Sequence, residues 1–210
     1  MKTNFAKLAL IAAMMVLSAA CSKSEDKSNA TAPAETPKRY SATAKIDGTW
    51  KGPCEPNAAS NSTQRIIKID NGVFTLDQVS FLDSACGERG MTVRTTFVAI
   101  FGAAREIPVG SNDLDIFSQK IEYVVHSELI ANAWSNSQQC GNADWKKELP
   151  FDVAGKTCGA AQLPSTGFIT SGVVSVDSNK LLMSEIFKGV PVENMQARVT
   201  TLQSIPYIKQ

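Results

Sequence analysis

Few side chains in this 210-residue sequence are placed for catalytic chemistry. The one histidine, His126, would need a nucleophile and an orienting acid beside it to act as a general base, and the sequence has no Gly-x-Ser-x-Gly or other nucleophile motif. Asp113 and Asp115 have the spacing of calcium ligands, but the glycine and closing glutamate of an EF-hand loop are missing, so a strand entry explains them better. The sequence therefore predicts a protein that is not an enzyme and holds no cofactor.

The cysteines are the second candidate for chemistry, either as metal ligands or as disulfides. No Cys-x-x-Cys pair occurs and His126 is the only histidine, so we expect no metal. The total of five cysteines is odd, which is awkward in a secreted protein. Setting Cys21 aside leaves four cysteines, whose three possible pairings cannot be separated by spacing alone. We predict the two pairings that close local loops, Cys54 with Cys86 and Cys140 with Cys158.

Arg65 is the charged residue whose position raises a question. It shares one face of a predicted strand with Ile67 and Ile69, and an unpaired charge on an inward face would be costly. We predict an internal Asp or Glu as its partner, with a ligand carboxylate or phosphate, or solvent at an opening, as the alternatives. The candidate ligand-lining residues are Arg65, Ile67, Ile69, Phe97 and Phe101, although the two phenylalanines also fit a filled core.

The first 20 residues have the composition of a secretory signal peptide. Lys2 and Lys7 precede the uncharged run Leu8–Ala20, whose 13 residues are too few for a membrane-spanning helix of about 20. Ser18, Ala19 and Ala20 lead directly into Cys21, and this stretch resembles the lipobox of bacterial lipoproteins. The resemblance implies cleavage before Cys21 and acylation of Cys21, with palmitate among its acyl chains. Ordinary cleavage after Ala20, leaving a free thiol, is the alternative.

Residues 21–44 follow as a predicted flexible tether. They include Pro33 and Pro37 and, apart from Tyr40, no large apolar side chain, so they cannot bury enough surface to offset the entropy of ordering. Lipoproteins with serine after the lipidated cysteine, as at Ser22, are sorted to an outer membrane where one exists. We therefore expect the protein in a bacterial cell envelope, lipid-anchored at the periplasmic face or the surface of the outer membrane.

The charge balance argues against a nucleic-acid partner. Removing the leader takes away Lys2 and Lys7 and no acid, so the 21 basic and 20 acidic residues of the whole chain become 19 and 20. A nearly neutral chain without a basic cluster lacks the electrostatic footprint that binds phosphate backbones.

Residues 45–210 are predicted to form one domain dominated by strands. Asn71 and Gly72 separate two β-branched and aromatic runs, the strongest short-range signal for a hairpin. The apolar parity of the second run slips between Leu76 and Val79, which predicts a bulge near Asp77 or Gln78. Other predicted strands are Met91–Phe101, Leu114–Val125, a hairpin across 177–179, and a short strand at Tyr207–Lys209.

One stretch has helical spacing instead. Ser127 can cap a helix over residues 128–138 whose apolar positions recur every three or four residues: Leu129, Ile130, Ala133 and Trp134. A single short helix among antiparallel hairpins predicts an all-β protein, an antiparallel barrel of about eight strands whose closure removes exposed sheet edges.

The start of the domain resembles a known family. Gly48-Thr49-Trp50 resembles the Gly-x-Trp signature of lipocalin-type barrels. A wider pattern is similar to small bacterial lipocalin-like lipoproteins and to the domain of the Wnt inhibitor named for down-regulation by the adenomatosis polyposis coli tumour suppressor: Gly48, Trp50, Cys54, Glu55, Arg65, Asp83, Cys86 and, in the bacterial group, Cys140–Trp145.

The resemblance implies a lipocalin-like barrel over residues 45–210, with Trp50 as the plug of its closed end. It also implies a basic residue of the last strand stacked over the indole, a role we assign to Arg198. It implies no catalysis.

Two functions fit these predictions. The first is a lipid-anchored envelope protein whose barrel holds a small hydrophobic ligand or acyl chain, its mouth partly closed by the helix. The second is an interaction module or inhibitor with a filled core that binds an envelope protein. An interior cavity of about 300 Å³ or more lined by Ile67, Ile69, Phe97 and Phe101 favours the first, and a filled interior with an exposed apolar patch favours the second.

Overall fold

The computed structural model describes residues 46–57, 61–184 and 199–210. Residues 1–44, with the predicted leader, tether and lipidated Cys21, lie outside the described residues, as does Arg198. One α-helix occurs in the described part, α1 (Glu128–Asn136), followed by a 3₁₀ turn at Gln139–Gly141. The strands are β1 (Gly48–Pro56), β2 (Ser62–Asp70), β3 (Val73–Phe81), β4 (Arg89–Arg105), β5 (Ser111–Val125), β6 (Phe151–Asp152), β7 (Thr157–Cys158), β8 (Ala161–Gln162), β9 (Ile169–Asp177), β10 (Lys180–Met183) and β11 (Tyr207–Lys209).

Eight of the strands close into an antiparallel barrel in the order β4-β3-β2-β1-β11-β10-β9-β5, with β5 pairing back onto β4. Closure leaves no free edge among these eight strands, the arrangement expected from a chain of hairpins with strong alternation. The predicted all-β barrel with one short helix is therefore confirmed.

The first hairpin forms where the sequence predicts it, but the predicted bulge is wrong. Asn71 and Gly72 have φ values of 50° and 80°, the left-handed conformation that a two-residue hairpin turn requires. Pairing of β2 with β3 then runs unbroken through Asp77 and Gln78. The apolar parity changes along β3 because its two faces are buried at different points, one at Leu76 and the other at Val79.

Inward-facing side chains fill the lower part of the barrel. Trp50 is fully buried there, and the rings of Phe74 and Phe97 stack with centroids 5.3 Å apart. We call this the closed end; it also carries the Asn71–Gly72 turn and the turn between β9 and β10. The opposite end, where β1 connects to β2 and β3 to β4, is called the mouth. The buried core at the closed end comprises Ile46, Trp50, Ile67, Ile69, Phe74, Leu76, Phe97, Leu114, Ile116, Val174, Leu181, Met183 and Tyr207.

A second apolar cluster lies where β5 parts from β9. The two strands pair only through Ser111–Phe117 of β5, and β6 takes over at Glu122 and Tyr123. The gap is filled by α1 and the segment after it, with Ala131 and the Cys140–Cys158 disulfide in a cluster against Ile121 and Val125 of β5.

The helix itself is shorter than predicted. It ends at Asn136, and Gln138 has the left-handed φ of 50° that breaks the helical path. Ser127 occupies the N-cap position with an extended backbone, but its side chain makes no capping hydrogen bond. The described part of the chain includes no helix with the length and apolar character needed to cross a membrane.

Candidate functional site

A cavity of about 430 Å³ opens beside β1, β2 and β11, between the closed end and the mouth. Two backbone irregularities create it. β1 inserts an extra residue at Gly52–Pro53, between the pairs Lys51–Ile66 and Cys54–Gln64. The returning strand loops out at residues 203–206, between its pairings with Ser184 and with Leu181. Bulges of this kind commonly border binding sites. The lining residues are Gly52, Pro53, Glu55, Arg65, Gln203, Ser204, Ile205 and Tyr207.

Arg65 brings a positive charge into this cavity. It lies on the same face of β2 as Ile67 and Ile69, and its side chain is 17% exposed. Arg65 has an acidic partner, because Arg65 Nη1 lies 3.5 Å from Glu55 Oε1, but the Glu55 side chain is 45% exposed and lies at the rim, not inside the barrel as predicted. That contact is long for a charge-assisted hydrogen bond, and the buried Arg65 Nε has no hydrogen-bond partner among the described residues. Glu55 therefore balances the charge but leaves a donor unused.

Two further polar groups of the cavity wall are buried without a hydrogen bond of normal geometry among the described residues, the Gln203 Nε2 amide and the Tyr207 hydroxyl. The Arg65 and Gln203 side chains still approach the Tyr207 hydroxyl closely enough to form weak hydrogen bonds that act on its pKa. Burial raises the pKa of Tyr207, and the charge of Arg65 together with weak hydrogen bonds from Arg65 and Gln203 offsets part of that rise. The hydroxyl is thus a protonated donor at neutral pH. The side chains of Arg65, Gln203 and Tyr207 therefore converge in one cavity with only weak contacts among them, and poorly satisfied buried donors are costly in a native protein.

The apolar residues predicted to line a ligand cavity lie elsewhere. Ile67, Ile69 and Phe97 are buried in the core of the closed end, and Phe101 packs against that core. Of the predicted lining set, Arg65 alone is in the wall of the described cavity. Sequence reasoning missed Gln203 and Tyr207, since nothing in their local pattern distinguishes them from ordinary strand residues.

Trp50 has the surroundings expected of a plug. Its side chain is 0% exposed, and its indole Nε1 donates a 2.7 Å hydrogen bond to the carbonyl of Ile46. The cation over the ring is Lys209 of β11, whose Nζ lies 5.2 Å from the ring centroid. Lys209 reaches the ring because β11 pairs it directly opposite Trp50, whereas Arg198, to which we assigned this role, lies outside the described residues.

Both predicted disulfides are confirmed, Cys54–Cys86 and Cys140–Cys158. The first ties β1 to the loop after β3 at the mouth, close to Glu55. The Asp83 carboxylate shapes this loop by accepting backbone N–H groups of Ala85, Gly87 and Glu88. These hydrogen bonds favour the ionised form and lower the pKa of Asp83.

We expect Asp83→Asn to remove an acid-dependent part of the stability. A lowered folded pKa means that the carboxylate stabilises the fold above its unfolded pKa of about 3.9, and that this contribution is lost as pH falls through the lower folded value. The urea midpoint of the unmodified protein should therefore fall more steeply below pH 4 than that of Asp83→Asn. Asp144→Asn is the matched control, because its carboxylate contacts only the surface ammonium of Lys146. If the urea midpoints of Asp83→Asn and the unmodified protein fell equally steeply below pH 4, the stabilising role of the Asp83 carboxylate would be contradicted.

His126 has partners that resemble a catalytic arrangement. Its Nε2 lies 2.7 Å from the Thr92 hydroxyl, and its Nδ1 lies 2.9 Å from a carboxylate oxygen of Glu148. Thr92, however, is only 3% exposed, so its hydroxyl is out of reach of a substrate. The two hydrogen bonds of His126 connect β4, the end of β5 and the loop before β6, and so hold these three segments together. Among the described residues, no group of three or more His, Cys, Asp or Glu side chains is arranged to hold a metal ion.

Comparisons with known proteins give no family for this chain. No protein-family model matches it, and no curated protein is significantly similar to it in sequence.

Proposed function

We propose that the chain is a lipid-anchored binding protein of the bacterial cell envelope, one of the lipocalin-like lipoproteins, and that its barrel takes up a small amphipathic anion. The observation that supports the binding role is the convergence of three buried donors in one cavity without hydrogen bonds of normal geometry: Arg65 Nε, Gln203 Nε2 and the Tyr207 hydroxyl. A carboxylate or phosphate offers several acceptors and a negative charge, and so satisfies all three donors.

The dimensions of the cavity limit the ligand. A volume of about 430 Å³ lies in the range of small-molecule sites. The barrel below it is filled by the core around Phe74 and Phe97, so a long acyl chain has no room to run down the axis. The apolar part of the ligand must instead lie against Pro53, Ile205 and the ring of Tyr207. A short-chain amphiphile fits these limits.

Three probes with the same chain and different head groups test this role: octanoate, octyl phosphate and octanol. The compact unit formed by residues 39–210, secreted with its disulfides formed, is titrated with each by calorimetry. We expect both anions to bind at least about tenfold more tightly than octanol, because a hydrogen bond to a charged group contributes about 1.5–3 kcal/mol. The tighter of the two anions identifies the head group. Equal affinity for octanoate, octyl phosphate and octanol would contradict the proposal that the buried donors recognise an anionic head group.

Tyr207→Phe separates a binding role from a structural one. The hydroxyl makes no hydrogen bond of normal geometry and only weak contacts with Arg65 and Gln203, so its removal should change the free energy of unfolding by no more than about 1 kcal/mol. Affinity for the better anion should fall about fivefold to tenfold, the value of one hydrogen bond. Urea unfolding and calorimetry on the same samples check both. A clear loss of stability would mean that the hydroxyl has a structural partner.

The anchor is tested at Cys21. We expect Cys21→Ala to abolish partitioning of the full chain into the detergent phase, because acylation at this thiol is the proposed link to the membrane. Mass spectrometry of the N-terminal peptide should show acyl chains, palmitate among them, on the unmodified chain. A chain that partitions into detergent without Cys21 would contradict the lipoprotein assignment.

A further inference from the structure

An apolar surface at the closed end has no role in the binding cavity. Ile107 and Val109 lie at the tip of the long β4–β5 hairpin and are 80% and 87% exposed. Above them on the outer wall, Val73 pairs opposite Val98, Val98 opposite Phe117, and Phe117 opposite Ile169. We call this surface the apolar corner; its members are Val73, Val98, Ile100, Ile107, Val109, Phe117 and Ile169.

The apolar corner is continuous across four neighbouring strands. Directly opposed residues of adjacent strands project from the same face of a sheet, so the row from β3 to β9 forms one stripe. Ile100 lies two positions along β4 from Val98 and is 52% exposed on that same face. Charged residues border the corner: Glu106 is exposed next to Ile107, and Asp115 pairs opposite Ile100. Arg105 is paired at 2.8 Å with Asp113, and the two most exposed side chains of the tip, Ile107 and Val109, are apolar. Contiguous exposed apolar surface of this kind marks an interaction site.

The path of the chain identifies what the corner meets. Ile46, the first described residue, lies at the closed end beside Trp50, so the chain enters the described barrel at this end. The residues before Ile46 include the apolar run Leu8–Ala20 and Cys21. The hairpin tip projects beyond the Asn71–Gly72 turn at this same end. Val73, the first residue after that turn, pairs with Val98, and β4 continues past Val98 to Arg105 before the chain turns back. A lipid anchor at Cys21 is therefore connected to the barrel at its closed end, the end from which the hairpin tip projects furthest.

We propose that the apolar corner rests on the membrane surface, with Ile107 and Val109 inserted among the lipid head groups. The inference rests on the lipid anchor proposed above and adds the orientation of the barrel. In this orientation the closed end faces the bilayer, and the mouth, with Glu55 at its rim, faces away from it. The Arg65 cavity then stays open to the aqueous phase.

Photo-crosslinking on the anchored full chain tests the orientation. A benzophenone amino acid replaces Ile107 in one sample and Leu129 of α1 in another, in vesicles of phosphatidylethanolamine and phosphatidylglycerol. Leu129 is the matched control because its side chain is also exposed, at 79%, but lies away from the apolar corner. It belongs to α1, whose Ala131 packs into the second apolar cluster. We expect at least about fivefold more lipid adducts from position 107, and a drop to the control level when Val109→Asp is added, since a charge opposes insertion.

The outcomes separate failure of the orientation from failure of the anchor. Equal lipid adducts from the two positions overturn the orientation, and adducts from position 107 to a second copy of the chain assign the corner to a barrel–barrel contact instead. The acyl mass on Cys21 is read from the same samples. If Cys21 carries no lipid, flotation of the chain with vesicles tests the apolar corner by itself. Vesicle binding that Val109→Asp abolishes supports membrane contact by the corner, and absence of vesicle binding overturns it.

Discussion

Trp50→Ala should lower the free energy of unfolding by about 3–5 kcal/mol, the largest loss we expect from a single substitution in this protein. The side chain is fully buried among Ile67 and the other residues of the closed end, so its removal leaves a large cavity that the closed barrel cannot collapse to fill. The change also leaves the Ile46 carbonyl without its donor. Urea unfolding followed by circular dichroism, with both disulfides intact, measures the loss.

Two companion variants divide this effect into its parts. Trp50→Phe keeps most of the apolar volume but loses the hydrogen bond to Ile46, so its loss should be intermediate. Lys209→Met removes the cation over the ring and should cost no more than about 1 kcal/mol. A loss below about 1 kcal/mol for Trp50→Ala would show that the indole does not hold the closed end together.

The second large effect is expected on ligand affinity at Arg65. Arg65→Met keeps the apolar stem and removes the charge and the unused Nε donor, so binding of the better anionic probe should weaken about tenfold to a hundredfold. Glu55→Gln should act in the opposite direction, because its carboxylate lies 3.5 Å from Arg65 and competes with an anionic ligand for the guanidinium. Calorimetric titration of both variants with octanoate, octyl phosphate and octanol checks the two directions.

The controls for this prediction are the neutral probe and a conservative substitution. Octanol affinity should be nearly unchanged in Arg65→Met, because octanol carries no charge for Arg65 to meet. Arg65→Lys keeps the positive charge without the planar fork of donors and should lie between Arg65→Met and the unmodified protein. If Glu55→Gln and Arg65→Met weaken binding of the anion alike, the two side chains support the fold of the cavity instead of the ligand.

The proposed ligand and the proposed orientation support one another. A barrel with its closed end on the bilayer presents the cavity to the aqueous compartment, where short amphiphiles are soluble. A barrel turned the other way would place Glu55 and Arg65 against the head groups.

Much of the fold could be predicted from the sequence because it is set by local rules. Asn71 and Gly72 determine the first hairpin, since both positions of its turn need a left-handed backbone. Alternation of side chains identifies the strands around them, and the four-residue spacing of Ile130 and Trp134 identifies α1. Cys54–Cys86 and Cys140–Cys158 could be predicted because each closes a local loop.

The candidate site was decided by tertiary structure alone. Arg65 could be singled out as an inward charge, but Tyr207 and Gln203 come from the other end of the chain and reach it only because β11 pairs with β1 when the barrel closes. The cation over Trp50 is Lys209 for the same reason, since strand register across a long sequence separation is set by the whole barrel. Local sequence determines which segments are strands and turns; which side chains converge in a common cavity depends on closure, which no local pattern encodes.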